Sequence, residues 1–158
     1  MNKEISQGYL CTIKPLPGQS EKRSLNYQGS YYISKSGKKW PHGNGELKIN
    51  PSNSISHLEI YDGTWENGKF LAGKITLIDA THNDLFEIQK TTNAVQSKLI
   101  VRSRHFTFNG PIQFNHCGLI DPENFKLEGD LSDGHKLLKH VSMKFPLMAD
   151  HILTMFDS

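Results

Sequence analysis

A phrase of alternating large and small residues recurs along this chain. Tyr27-Gln28-Gly29-Ser30-Tyr31 returns as Tyr61-Asp62-Gly63-Thr64-Trp65 and, more faintly, as Leu127-Glu128-Gly129-Asp130-Leu131. A further glycine follows each copy: Gly37, Gly68 and Gly134. Side chains two apart on a strand share one face, so each copy places a glycine between two large residues on that face. A glycine there lets a neighbouring ring or backbone approach closely. The pattern predicts a mainly β fold of repeated antiparallel hairpins.

The surrounding residues supply the turns. A first hairpin runs from Leu25 to about Ile49, with Ser36-Gly37-Lys38-Lys39 and Pro41-His42-Gly43-Asn44-Gly45 as turn signals between its strands. Pro51-Ser52-Asn53-Ser54 reads as a connecting loop. In the second hairpin His57 to Trp65 goes out and Phe70 to Ile78 returns. Glu66-Asn67-Gly68-Lys69 joins them, and Asn-Gly supplies the positive φ angles of a type I′ turn. Leu85 to Lys90 and Lys98 to Phe108 read as a further pair, followed by a break at Asn109-Gly110-Pro111 and a short strand at Ile112 to Phe114. The faint third copy spans Phe125 to about Leu138, turning at Ser132-Asp133-Gly134. Pro146 to Phe156 carries Leu147, Met148, Ile152, Leu153, Met155 and Phe156, which suggests a short helix covering one end of the sheet.

A length of 158 residues fits a single domain. Within it, 1–25 reads as a lead-in broken by Pro15, Pro17 and Gly18, 26–140 as the hairpin sheet, and 141–158 as a C-terminal cap. A hydrophobic content of 36% with a mean hydropathy of −0.51 suits a sheet with one wet face. The net charge of +2 is too mild to announce nucleic acid. Cys11 and Cys117 form no paired motif, and neither a secretory leader nor a membrane-length apolar run stands out, so a cytoplasmic location is expected.

These phrases resemble the MORN repeat, whose units read Tyr-x-Gly-x-Trp, then Asn-Gly-Lys, then His-Gly-x-Gly. Tyr61-Asp62-Gly63-Thr64-Trp65-Glu66-Asn67-Gly68-Lys69 matches the opening half, and Pro41-His42-Gly43-Asn44-Gly45 the closing half of the preceding unit. The third copy keeps the glycines but has leucine at both aromatic positions, and Ala72-Gly73-Lys74 stands where Gly-x-Gly is expected. The resemblance is carried by about residues 27–78 and weakly by 127–138. It implies a meandering stack of hairpins used as a binding or scaffolding surface, in some members linked to membrane lipids.

Tyr31, Trp40, Trp65 and Phe70 are candidates for an aromatic contact surface, though packing between hairpins is the leading reading of these rings. His42, Lys38 and Lys39 extend the candidate binding set, and Lys35 lies in the same turn region. The leading expectation is a non-catalytic protein-binding module, an adaptor or inhibitor, with no cofactor. The alternative is an anionic small molecule or lipid head group held at the Lys35 to Gly45 region, where glycine-rich backbone and lysines suit an anion. Pairing of exposed edge strands suggests a homodimer. A weaker enzymatic reading uses Asp79, His82 and Asp84, or His116, as acid–base groups. His116 and Cys117, with His105, His135 and His140, are the nearest approach to a metal-ligand set, but the five-residue step from His135 to His140 suits no single helix or strand face.

Overall fold

The computed structural model describes residues 5–12, 23–51, 57–79, 84–120, 126–144 and 149–157. Among the described residues ten strands follow one another: β1 (Ile5–Thr12), β2 (Arg23–Ile33), β3 (Lys39–Pro51), β4 (His57–Glu66), β5 (Lys69–Asp79), β6 (Asp84–Lys90), β7 (Val95–Val101), β8 (Arg104–Asn109), β9 (Lys126–Ser132) and β10 (Leu137–Lys144). One helix, α1 (Ala149–Asp157), follows them. Every strand pairs antiparallel with its predecessor, giving one open meandering sheet in chain order. The expected mainly β fold of antiparallel hairpins with a short C-terminal helix is therefore observed.

The register turns the sequence alternation into three rows across the sheet. Leu25, Ile49, Glu59, Leu77, Phe86, Leu99 and Phe106 are successive cross-strand partners from β2 to β8. Tyr27, Leu47, Tyr61, Ile75, Ile88, Ser97, Phe108, Leu131 and Leu138 form the second row. The third is a line of glycines, Gly8, Gly29, Gly45, Gly63 and Gly73, ending at Lys90. Apart from the partly buried Leu138, the first two rows are buried from β2 onward and form the core. The intervening positions, such as Gln28, Lys48, Asp62, Lys74 and Lys98, face solvent.

Among the described residues, two pieces of chain cover that core face. Residues 110–120, which include the expected strand at Ile112 to Phe114, form no strand. They loop instead across the sheet and bury Cys117, Leu119 and Ile120. Asn115 organises the loop, its Oδ1 accepting from the backbone N–H groups of Cys117 and Leu119 at 2.9 and 3.1 Å. Phe70 N–H donates to the Cys117 carbonyl at 2.9 Å, and Ile120 N–H to the Tyr61 hydroxyl at 3.0 Å. Gly118 has a φ of +75°, and an added Cβ would lie 2.2 Å from the Phe70 carbonyl, so only glycine fits. The second cover is α1, whose Ile152 and Phe156 are one helical turn apart and buried. The Phe156 ring packs on Phe106 at 4.8 Å. Arg104 Nη1 meets Asp157 Oδ1 at 2.8 Å, and Lys136 Nζ donates to the Met155 carbonyl at 3.3 Å, so both cations hold the helix C-terminus.

Other boundaries depart from expectation. Ile5–Thr12, inside the anticipated lead-in, is an edge strand in continuous register with β2. Pro41 to Gly45, anticipated as a turn, lies within β3; Pro41 accepts from Gly68 N–H through its carbonyl, and its missing N–H is no obstacle where β2 bulges between Gly29 and Tyr31. The stretch Lys98 to Phe108 is two strands, turning at Arg102 and Ser103 with φ of 51° and 71°. The Asn67–Gly68 turn has φ of 52° and 81°, as a type I′ turn requires. Residues 52–54, His82, Phe125, Pro146, Leu147 and Met148 lie outside the described residues.

Candidate interaction surface

The repeated phrase builds two different environments. In the first, large rings close over the glycine row. Tyr27 and Trp65 meet edge-to-face at 5.5 Å, Trp65 and Phe70 at 5.0 Å, and Tyr61 and Phe70 at 5.6 Å. Trp65 Nε1 donates to the Gly45 carbonyl at 3.0 Å. The Tyr27 hydroxyl donates to the Ser30 carbonyl at 2.6 Å, and burial pushes its pKa up to about 12. Trp65 and Phe70 are at most 1% exposed. They are core residues and present nothing to a partner.

The second environment is the far end of the β2–β3 hairpin, where the chain passes beyond this roof. Tyr31 pairs with Pro41, Tyr32 with Trp40 and Ile33 with Lys39. The connecting turn is closed by Ser34: its N–H donates to the Lys38 carbonyl at 2.7 Å, and its Oγ accepts from Lys38 N–H at 3.1 Å. Lys35, Ser36, Gly37, Lys38 and Lys39 are exposed on that turn. Ile33 beside them is 54% exposed, a large apolar side chain in water. Lys39 Nζ lies 5.5 Å from the Tyr31 ring centre, a cation–π contact at the edge of useful range.

The tip of the β4–β5 hairpin props this end. Asn67 N–H donates to His42 Nδ1 at 3.1 Å, and Gly68 N–H donates to the Pro41 carbonyl at 2.8 Å. The Trp40 ring lies on Gly68 so closely that an added Cβ would come within 2.6 Å of Cε3. His42 in turn meets the Tyr32 ring edge-on at 5.3 Å. Trp40, His42, Tyr31 and Tyr32 are all partly exposed, and Trp40 and His42 rest on the next hairpin's turn.

Of the seven residues singled out in the sequence, Tyr31, Lys38, Lys39, Trp40 and His42 thus share one hairpin end, Tyr31 and Lys39 on one face and Trp40 and His42 on the other, while Trp65 and Phe70 lie apart in the core. Ile33 on the first face, and Tyr32 and Asn67 on the second, were not anticipated. Ile33 had one signal: an apolar residue standing directly before a polar turn.

The candidate catalytic groups are placed differently. Asp84 is 1% exposed and accepts from Arg102 N–H at 2.8 Å while its Oδ2 lies 3.4 Å from Arg102 Nε, so it holds a turn. His116 is exposed, and burial pushes the neighbouring Cys117 thiol up, away from thiolate reactivity. His135 and His140 are exposed in the β9–β10 turn and in a bulge of β10. Among the described residues no three of His, Cys, Asp and Glu are grouped so as to hold a metal ion. No helix among them is long and apolar enough to cross a membrane. No protein-family model, curated protein or solved structure matches the chain.

Proposed function

We propose that this protein is a non-catalytic protein-binding module, akin to MORN hairpin arrays, that docks a partner at the open end of its β2–β3 hairpin. One observation carries this reading: on the hairpin end exposed Ile33 shares its face with Tyr31 and Lys39, next to the exposed Lys35 and Lys38 of the turn, while the partly exposed Tyr32, Trp40 and His42 occupy the opposite face. An apolar anchor with aromatic neighbours and a cationic rim has the make-up of an interface. The cations favour a partner segment that carries carboxylates around an apolar side chain.

Affinity capture from a lysate of the native source, quantified by mass spectrometry, tests it. One stoichiometric protein held by the native chain and lost by an Ile33→Ser/Lys38→Glu/Lys39→Glu variant of unchanged melting temperature is the expected result. Equal retention by both chains contradicts the assigned surface. Absence of any protein, with binding of an anionic small molecule or vesicle that depends on Lys35, Lys38 and Lys39, would replace this reading by the anion-binding one.

A further inference from the structure

The two edges of the sheet are built differently. β10 carries Lys136 beside its start and Lys139, His140 and Lys144 along it. Its register breaks between Leu138 and Val141, where His140 takes a φ of 58°. Charge and a bulge are the devices that stop an edge from recruiting another strand. β1 has neither: Ile5-Ser6-Gln7-Gly8-Tyr9-Leu10-Cys11-Thr12 contains no charge and no proline, and its register with β2 is unbroken. Among the described residues nothing pairs with its outer edge.

The glycine row says what can pair there. Adjacent strands approach so closely along it that an added Cβ at Gly29 would lie 2.4 Å from Gly45 Cα, and one at Gly63 or Gly73 would lie 2.7 Å from the other's Cα. The row ends at Gly8, on the open edge. Continued across that edge, it is matched by a strand with glycine opposite Gly8, although at its other end Gly73 pairs with Lys90. The chain itself supplies such a strand.

We infer that β1 pairs antiparallel with β1 of a second copy of this chain, with Gly8 opposite Gly8 across a two-fold axis. This register sets Ile5 opposite Cys11, Ser6 opposite Leu10 and Gln7 opposite Tyr9, so alternation stays in phase across the joint. The pairing is isologous and closes at two copies. Pairing of β1 with β10 would instead be heterologous, giving rings or open filaments, and the bulge and lysines of β10 oppose it. The joint lies on the outer edge of β1; on the inner edge Ile5 and Ser6 pair with Tyr32 and Tyr31 of the proposed partner surface.

Light scattering during gel filtration should give twice the 17.9 kDa chain mass. The Gln7→Lys/Tyr9→Lys variant, its fold checked by an unchanged β-type circular dichroism spectrum, should run at the single-chain mass. Opposed residues on antiparallel strands have Cα atoms about 4.5–5.5 Å apart, within disulfide reach. Ile5→Cys in a Cys117→Ala background should therefore oxidise to a covalent dimer through Cys11 of the second copy, and Gln7→Cys in the same background should not. A single-chain mass for the native protein at every concentration overturns the inference. So does a dimer that survives the double lysine variant, or one cross-linked by Gln7→Cys in place of Ile5→Cys.

Discussion

Trp65 Nε1 donates to the carbonyl of Gly45, twenty residues earlier in the chain, at 3.0 Å. The bond spans two adjacent strands and places an indole over a strand that has no side chain at that point. Glycine at 45 and tryptophan at 65 are therefore one structural unit, which joins the last residue of the second copy of the recurring phrase to the Gly43-Asn44-Gly45 stretch before it.

Gly45→Ala should destabilise the fold by about 1–3 kcal/mol, the range for overpacking a filled core. Gly45 has no positive φ, so the cost is steric: the added methyl would lie 2.0 Å from the Tyr27 hydroxyl oxygen. Urea unfolding of the variant checks it, and an unchanged midpoint would mean that Tyr27 moves aside freely.

Trp65→Ala should cost more, about 3–5 kcal/mol, because it empties a fully buried site and removes an indole hydrogen bond. Trp40→Ala removes a ring that is partly exposed, and should cost visibly less in the same unfolding assay. The sequence gives Tyr31, Trp40, Trp65 and Phe70 the same aromatic character. They separate because β2 bulges between Gly29 and Tyr31 and then runs on to Ile33, carrying Tyr31 and its partner strand past the covered part of the sheet.

The turn of Arg102 and Ser103 is built from residues that disfavour positive φ. Asp84 compensates from below by binding both the backbone N–H and the guanidinium of Arg102. Ser103→Gly should stabilise the protein by up to about 1 kcal/mol by removing backbone strain. Asp84→Ala should destabilise it by about 1.5–3 kcal/mol, the worth of a hydrogen bond to a charged group. Thermal melts of the two variants should move in opposite directions.

That turn also shows what the sequence conceals. Asn67–Gly68 was legible because both residues favour the left-handed region, whereas Arg102–Ser103 is imposed by a buried carboxylate eighteen residues away. β1 was hidden for a related reason. Its glycine has meaning only in register with Gly29, and prolines at 15 and 17 suggested irregular chain. The segment around Ile112 to Phe114 looked like a strand from its apolar residues, but Asn115 bends the chain that follows into a cover for the core. Local pattern thus revealed the hairpins, their antiparallel class and the C-terminal helix. It could not divide the aromatic residues between roof and surface.

Acid should weaken the solvent face of the central strands. Glu87 lies between Lys74 and Lys98, 3.1 Å from the latter, and its hydrogen bond from Lys74 leads the effects that hold its pKa below the ordinary 4.5. A carboxyl with a lowered folded-state pKa contributes stability above its unfolded value. That contribution is lost as pH falls through the lower folded value. Melting temperature should therefore drop below about pH 4.5, and Glu87→Gln should show a shallower drop over the same interval.

The account turns on the β2–β3 hairpin end being a docking surface separate from the core. The most direct measurement is the affinity of the captured partner for the native chain and for Ile33→Ser/Lys38→Glu/Lys39→Glu, taken alongside both melting temperatures. The predicted result is binding weakened at least tenfold, about 1.4 kcal/mol, with the melting temperature unchanged. Equal affinity of the two chains would contradict the account and move the partner to another part of the sheet.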